Sequence, residues 1–380
     1  MAATYGNDKG RVFDYSKYPQ RRIALMFLYL GWEHDGLVPQ PTMANTVEEV
    51  LINALLRSRL ILTSECGLNR CGRTDKGVSG FRQVCSVIVR STDVNGKHVF
   101  WSEDSDQSKR IKSTSEIDYV KILNAVLPYS IRILGWAPCD RDFNARFNCT
   151  ERVYNYIFPK NNFDIEKMRE ASKLLVGSHD FRNFCRIDNN KARLETTYVR
   201  EIFDIQLDEL RSEESDNVYK IYQLKVKGSG FLWHMIRCIV GVLFEIGGSG
   251  EDIEVINQLL DVETCPSRPQ YQLAKETPLC FFDCNYSIPL EWIFDKINLK
   301  KAFQTLEKTW SDLKVKCETV KNMMYQLSGF IQEDSHEAMD EYIRDGPRPK
   351  KKIALMNRPR CASLDDRIQR MASKKCQQEM

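Results

Sequence analysis

The residues of this chain best suited to chemistry lie in one short segment, where an acid stands between two cations. Residues 71–81 read CGRTDKGVSGF, so Asp75 follows Arg73, precedes Lys76 and has glycines close by. Glycines allow tight turns and close approach of a ligand, and neighbouring positive charge keeps a carboxylate ionised. Such a carboxylate suits a nucleophile or a base, and the cations suit a phosphate-rich substrate. Composition alone favours an ordinary surface turn, because Gly, Thr, Asp and Lys are common turn residues.

Regular elements are predicted on both sides of this loop. Apolar residues alternate from Val84 to Val89, which predicts a strand directly after the loop. Upstream, Thr46 and Glu49 have the spacing of a capping box and open an apolar stripe of helical period. The acid is therefore expected between a helix and a strand that hold it in place.

A second chemical segment lies in the middle of the chain. Residues 142–147 read DFNARF, and the predicted strand that follows places Arg152, Tyr154, Tyr156 and Phe158 on one face. Aromatics at every second position are usually the core of a sheet. An enzyme that works on a base must nevertheless take it out of the stack and hold it, and tyrosine offers a flat face and a hydroxyl.

The third segment is a predicted helix over residues 231–246, whose wide apolar arc surrounds Arg237. A guanidinium in such a stripe either extends to solvent or pairs with an anion, and Asp75 is the obvious partner. His234 falls on the more polar side of the same helical wheel, with Glu245, so an ordinary structural role is expected for it.

The three segments resemble, in order, the motifs of the TruA-type tRNA pseudouridine synthase family: GRTDKGV, then F-x-A-R-F with R-x-Y-x-Y, then F-L-x-H-M-x-R-x-I-V-G. The resemblance implies that Asp75 is the catalytic acid, that Tyr154 holds the flipped base and that Arg237 orients Asp75. It also implies that Leu279 lines the base pocket. The residues that it assigns to contacts with RNA are Arg73, Lys76, Arg146 and Arg152.

The resemblance covers about residues 21–290, and residues 177–185 with 271–279 are similar to the eukaryotic branch that modifies tRNA positions 38 and 39. It implies isomerisation of uridine to pseudouridine in the anticodon stem-loop, with tRNA as partner and no cofactor. Because family members work as homodimers or as pseudo-dimeric bodies, it leaves a homodimer open. Two further hypotheses remain: the same chemistry at another tRNA position, and a non-catalytic tRNA-binding protein.

The fold implied by the resemblance is α+β, with two pseudo-symmetric ferredoxin-like halves that share a continuous mixed or antiparallel sheet and a central cleft. A C-terminal helical extension follows. The predicted parts are a flexible arm at 1–20, an N-terminal catalytic half at 21–148, a C-terminal catalytic half at 149–290, a helical extension at 291–343 and a basic flexible tail at 344–380.

The helical extension carries an unbroken heptad stripe from Leu299 to Leu327, with charged residues elsewhere. Cys317 and two aromatics make this stripe a poor core for a parallel dimer, so packing on the same chain is favoured over a second subunit or another partner. A scaffold that docks a partner through this helix is a further alternative. In the tail, residues 348–352 suggest either an RNA contact or a nuclear-import signal.

Bulk composition limits the remaining classes of function. The net charge of +3 over 380 residues is too small to indicate nucleic-acid binding by itself, so any RNA site must arise from local clustering. Thirteen cysteines without a CxxC pair predict free thiols in a reducing compartment and no metal site. The longest apolar run is far too short for a membrane span, and the N-terminus lacks a secretory signal. The expected location is the nucleus, the cytoplasm or both.

Overall fold

A single mixed sheet of eleven strands forms the centre of the protein in the computed structural model, which describes residues 13–40, 44–187, 197–210, 219–331 and 353–378. The strands are β1 Gln20–Tyr29, β2 Asn69–Arg70, β3 Ser79–Arg90, β4 Val99–Phe100, β5 Ile131–Pro138, β6 Cys149–Pro159, β7 Gly177–Asp180, β8 Val199–Glu209, β9 Ile221–Gly228, β10 Leu279–Tyr286 and β11 Ile293–Phe294. The predicted α+β fold with a large continuous sheet is confirmed.

The strand order is β11-β5-β1-β3-β10-β6-β9-β8-β7, with β2 beside β3 and β4 beside β1. All described pairings are antiparallel except that of β3 with β10, which is parallel. Ser79 pairs there with Cys280, and Gly80 pairs with Phe281. This short parallel contact joins the two groups of strands, and it lies directly after the segment that carries Asp75.

The helices are α1 Val47–Arg57, α2 Tyr119–Val126, α3 Ile165–Lys173, α4 Met235–Ser249, α5 Val255–Leu260, α6 Lys296–Ile331 and α7 Leu364–Gln378. The predicted cap of α1 is confirmed, because the Thr46 side chain accepts a hydrogen bond from the Glu49 amide at 3.4 Å. α4 begins later than the sequence suggested, at Met235, so His234 precedes the helix rather than lying within it.

Two hydrophobic cores support the sheet. One packs α1 and α2 on β1, β3 and β5, with Phe27, Leu51 and Val87 at its centre. The other packs α3, α4 and α5 on the second group of strands, where the rings of Phe163 and Phe244 stack with centroids 4.8 Å apart. The second core also reaches residues of β1, β3 and β5, so it continues across the junction between the two groups of strands.

The C-terminal extension is one helix, α6, as its heptad pattern predicts, but most of it does not pack as expected. Ala302 is buried, and Leu299 and Leu306 pack against the core near β5 and α2. Among the residues that the structure describes, the expected packing on the same chain is found only up to Leu306. A helix of 36 residues is about 54 Å long, and its first third meets the described body. The exposed stripe residues are Phe303, Trp310, Leu313, Cys317, Val320, Met324 and Leu327.

The basic tail is a second correction, since residues 353–378 are not a flexible segment. Leu355 is fully buried, and Arg358 forms an ion pair with the buried Glu245 at 2.8 Å. The ion pair holds this segment on α4, a backbone bridge joins Arg360 to Pro269, and α7 follows. Residues 344–352, including the cluster at 348–352, lie outside the described residues.

The N-terminal arm is also partly ordered. Residues 1–12 lie outside the described ranges, but Tyr15 Oη donates a hydrogen bond to the Ile61 carbonyl at 2.8 Å, and the Arg90 guanidinium lies over the ring of Phe13. The prediction of a flexible arm therefore does not hold for residues 13–20. In the described part of the chain, each helix is too short or too polar to cross a membrane.

Candidate active site

The Asp75 loop is held by backbone hydrogen bonds to the segment that follows β1. The Leu37 amide donates to the Thr74 carbonyl at 3.1 Å, and the Gly77 amide donates to the His34 carbonyl at 3.3 Å. Gly77 has φ +80°, a left-handed conformation that glycine adopts without strain. The loop therefore has a defined shape before any ligand binds.

The side chain of Asp75 lies at the surface of this loop, 30% exposed, and its Oδ2 is 3.3 Å from Nε2 of His234. His234 has φ 61°, a left-handed conformation that is uncommon for a non-glycine residue, and its side chain is only 9% exposed. Its Nδ1 is buried and has no hydrogen-bond partner among the described residues. The backbone turn at the start of α4 thus directs an imidazole at the candidate acid.

Arg237, predicted to orient Asp75, lies on the first turn of α4 with its side chain nearly buried. Its Nε donates to the Ala274 carbonyl at 2.7 Å, and its Nη2 is 3.0 Å from Oε2 of Glu276. Glu276 lies against the Asp75 loop, because a Cβ on Gly77 would come within 2.9 Å of the Glu276 Cγ. Arg237 therefore reaches the loop through Glu276, and its direct pairing with Asp75 stays a prediction.

Tyr154 lies on β6 between two aromatic rings. The centroids of Phe231 and Phe281 are 5.2 and 5.3 Å from its own, both in edge-to-face geometry. Burial raises the pKa of the Tyr154 hydroxyl far above its ordinary value, so this group stays protonated at neutral pH. Only 8% of the side chain is exposed, and the stacking of a base on its ring stays a prediction.

Arg152 is bonded to protein carbonyls rather than presented to solvent. Its Nη2 donates to the carbonyls of Cys71 at 3.0 Å and of Arg146 at 2.8 Å, and its Nη1 donates to the Ser229 carbonyl at 2.6 Å. These carbonyls belong to the segment before the Asp75 loop, to the F-x-A-R-F segment and to the turn before α4. Arg152 thus connects the three motifs, and its predicted contact with phosphate is untested.

The other predicted RNA-binding cations are exposed. Arg73 and Arg146 lie at the surface, and Lys76 forms an ion pair with Asp35 at 2.8 Å. The Arg146 guanidinium lies 5.4 Å from the centroid of the largely exposed Phe147 ring. The contacts of these groups with RNA stay predictions.

Leu279 is buried at the start of β10 and pairs with Tyr156 of β6. Its amide donates to the Glu276 carbonyl at 2.9 Å. Asp75, Tyr154 and Leu279 are therefore brought together where β3, β10 and β6 meet. Within the described ranges, one group of side chains could hold a metal ion, namely the buried cysteines Cys71, Cys149 and Cys284.

Sequence reasoning missed Glu276 and assigned His234 only an ordinary structural role. The helical wheel put His234 on the polar side of the helix. The wheel does not apply to this residue, because His234 precedes α4 and adopts a left-handed conformation. Glu276 gave no local signal, since it meets Arg237 only through the fold. A histidine immediately before the apolar helix that carries Arg237 was the one available indication.

The comparisons with known proteins agree with this geometry. A family model described as tRNA pseudouridine synthase matches residues 171–287. A Caenorhabditis elegans protein named "Probable tRNA pseudouridine synthase tag-124" is 44% identical over 97% of this chain and 93% of its own length. The Bos taurus "tRNA pseudouridine(38/39) synthase" is 36% identical over 96% of this chain and 79% of its own length.

A Saccharomyces cerevisiae protein with the same name as the bovine one is 39% identical over 77% of this chain and 63% of its own length. These relatives span both groups of strands, so the similarity includes the Asp75 loop, β6 and α4. With the acid, the tyrosine and the arginine in the order and positions of the motifs, this chain belongs to the TruA-type family of tRNA pseudouridine synthases, which are isomerases.

Proposed function

We propose that this protein converts uridine to pseudouridine at positions 38 and 39 of tRNA, in the anticodon stem-loop. The observation that carries the proposal is the Asp75 carboxylate, partly exposed on a preformed loop beside His234 and close to the strand of Tyr154. The name of the bovine relative supports the two positions. The 44% identical nematode relative carries a name that specifies tRNA without a position.

The reaction is balanced within the nucleotide. The bond from N1 of uracil to C1′ breaks, the base turns, and a bond forms from C5 to C1′. C5 loses its proton and N1 gains one, so the reaction needs no oxidant, reductant or second substrate. Asp75 acts on the ribose, as nucleophile at C1′ or as base at C2′, and both roles need an ionised carboxylate.

The surroundings of Asp75 suit a flipped nucleotide. A base that leaves the stack needs an apolar pocket and flat side chains, and the aromatic cluster of Tyr154, Phe231 and Phe281 offers these next to Leu279. Phosphates on either side of the nucleotide would meet the exposed cations Arg73 and Arg146. The cations around the loop supply local positive charge that the small net charge of the chain does not.

The test is nucleotide-resolution mapping of pseudouridine on folded tRNA incubated with the purified protein. We expect signal at positions 38 and 39 from the intact protein and none from Asp75→Asn, which keeps the size of the side chain but not its charge. Asp208→Asn, at an exposed site on β8, is the matched control and should retain full activity. Pseudouridine at other positions would support the reaction but refute positions 38 and 39 as its targets. Binding without modification would favour the RNA-binding alternative.

We further propose that the protein forms a homodimer through α6. The stripe from Leu299 to Leu327 spans four heptads, and the Trp310 side chain is 64% exposed. If two copies pair antiparallel, Trp310 of each can pack against Leu313 of the other, so the two indole rings do not share one layer. A two-fold contact of this kind uses the same surface on both copies.

Sedimentation equilibrium of the full chain tests this arrangement. Trp310→Glu should shift the mass from dimer to monomer, whereas Lys308→Glu, on the polar side of the same helix, should leave the dimer intact. A monomer at micromolar concentration would refute pairing and leave another protein as the partner of the stripe.

We also propose that the protein works in the nucleus and the cytoplasm, on the basis of the cations at 348–352. Replacing Lys350, Lys351 and Lys352 by Ala in a fluorescent fusion should remove the nuclear fraction. An unchanged distribution would refute this assignment.

A further inference from the structure

Three cysteines that are far apart in the chain meet behind the Asp75 loop. Cys71 lies between β2 and β3, Cys149 is the first residue of β6, and Cys284 lies on β10. Their Sγ atoms all lie within 4.8 Å of one another, and those of Cys71 and Cys149 are 3.3 Å apart. All three side chains are buried. The cluster takes no part in the reaction proposed above.

We propose that Cys71, Cys149 and Cys284 bind one zinc ion. Zinc prefers tetrahedral sites with Zn–S bonds of about 2.3 Å, which place sulfur atoms about 3.8 Å apart. The Cys71–Cys149 separation is shorter than this value and no pair of sulfurs is more than 4.8 Å apart, so small side-chain movements would bring the three sulfurs onto one ion. An oxygen nearby is Tyr286 Oη, 3.9 Å from the Cys284 Sγ; this hydroxyl donates to the Ala145 carbonyl at 3.0 Å and would have to release it, as a neutral hydroxyl, to become a fourth ligand.

The charges around the cluster suit such an ion. Three thiols release three protons on binding Zn²⁺, and the resulting site carries a net charge of −1. A buried charge is costly unless an opposite charge offsets it. The Arg152 guanidinium supplies that charge next to the cluster, where it hydrogen-bonds the carbonyls of Cys71 and Cys149 at 3.0 and 3.5 Å.

The zinc ion would be structural rather than catalytic. Its ligands come from the segment that leads into the Asp75 loop and from the two strands of the second group that lie nearest to it. Cys71 is four residues before Asp75, so an ion at this position would fix the base of the loop to β6 and β10. The proposal does not rest on the target of modification, because a structural ion would be present whatever uridine is used.

Metal analysis of the full-length protein, freed of affinity tag and prepared without chelators, is the first test. We expect about one zinc per chain by mass spectrometry of the elements, and Co²⁺ in its place should show the thiolate charge-transfer bands of a tetrahedral site. Cys149→Ser removes one ligand. Loss of a residue that only hydrogen-bonds a metal ligand weakens metal binding about 10–100-fold, and loss of Cys149 should weaken Zn²⁺ binding at least as much. Cys139→Ser, a buried cysteine outside the cluster, should keep full occupancy.

Two results would contradict the proposed zinc site. Folded, active protein that contains no zinc after growth in zinc-supplemented medium, and that gives no thiolate bands with Co²⁺, would overturn the proposal. A Cys71–Cys149 disulfide found by mass spectrometry in that protein would also overturn it and would assign the cluster to redox chemistry. If Cys149→Ser fails to fold, the zinc content and the Co²⁺ spectrum of the unsubstituted protein still decide.

Discussion

Arg152 offers the sharpest test of how the three motifs are held together, because two roles for it predict opposite results. The sequence suggests a contact with RNA phosphate, whereas the structure engages the guanidinium with carbonyls of Cys71, Arg146 and Ser229. Arg152→Met removes all of these donors but keeps a side chain of similar length.

The expected loss of stability follows from the hydrogen bonds that disappear. A hydrogen bond from a charged donor contributes about 1.5–3 kcal/mol, and such bonds are not additive when they share one group. Arg152 is only partly buried, and water can reach some of the freed carbonyls. We therefore expect a loss of about 3 kcal/mol in the free energy of unfolding, which for a chain of this length corresponds to roughly 4 °C in Tm.

The assay pairs thermal unfolding with the salt dependence of tRNA binding. Arg152→Met and Arg152→Lys should both lower Tm, because an ammonium cannot reach three carbonyls at once. Arg146→Met is the matched control, since this exposed cation belongs to the same motif. It should leave Tm unchanged and reduce the slope of log Kd against log salt by about 0.7–0.9.

The reasoning would be refuted if Arg152→Met kept Tm within about 1 °C and reduced the salt slope by about 0.7–0.9 instead. That outcome would mean that the guanidinium leaves its carbonyl partners to bind phosphate. It would also mean that the three motifs are held by other contacts.

Three further predictions follow from single contacts. Burial raises the pKa of Tyr29, so above pH of about 10 the folded protein keeps a proton that the unfolded chain loses. The free energy of unfolding, measured by urea titration, should therefore fall as the pH rises above about 10. Tyr29→Phe removes this group and should make the fall shallower. Gly31→Ala should cost about 3 kcal/mol, because its Cβ would lie 1.9 Å from the Val78 carbonyl oxygen, whereas Gly230→Ala meets nothing within 4 Å and should change Tm little. His234→Asn keeps a residue type that tolerates the left-handed conformation but loses the contact with Asp75. We expect kcat/KM to fall about tenfold with Tm nearly unchanged. An unaltered kcat/KM would refute a positioning role for His234.

Local patterns predicted the elements around the site well. The capping residues of α1 and the alternation of β3 are properties of neighbouring residues, and the structure places both as the sequence indicated. The single helix α6 follows from its heptad period in the same way. Its partner could not be predicted, because a heptad stripe indicates that an apolar surface exists without indicating what covers it.

Contacts between distant segments could not be predicted from the sequence. Glu276 meets Arg237 only because α4 and the segment before β10 converge, and His234 meets Asp75 only because one backbone turn is left-handed. The position of residues 353–361 depends on contacts with distant segments, among them the buried Leu355, the Arg358–Glu245 ion pair and the bridge from Arg360 to Pro269, and the basic composition of the segment indicates none of them. In each case the decisive partner lies far along the chain.

The position of β10 between β3 and β6 has a consequence for folding during synthesis on the ribosome. Arg82 and Asp283, which form an ion pair at 2.8 Å beside this strand, are separated by 201 residues in the chain. Until β10 emerges, the nascent chain carries two unpaired strand edges, on β3 and β6, and such edges invite association with other chains.

The Asp75 loop ends at one of those edges, on β3. A product of premature termination before residue 279 would therefore contain Asp75, Tyr154 and Arg237 yet lack the strand that brings their segments together. The chain therefore acquires a competent site only once β10 has been translated, and shorter products expose the unpaired edges of β3 and β6.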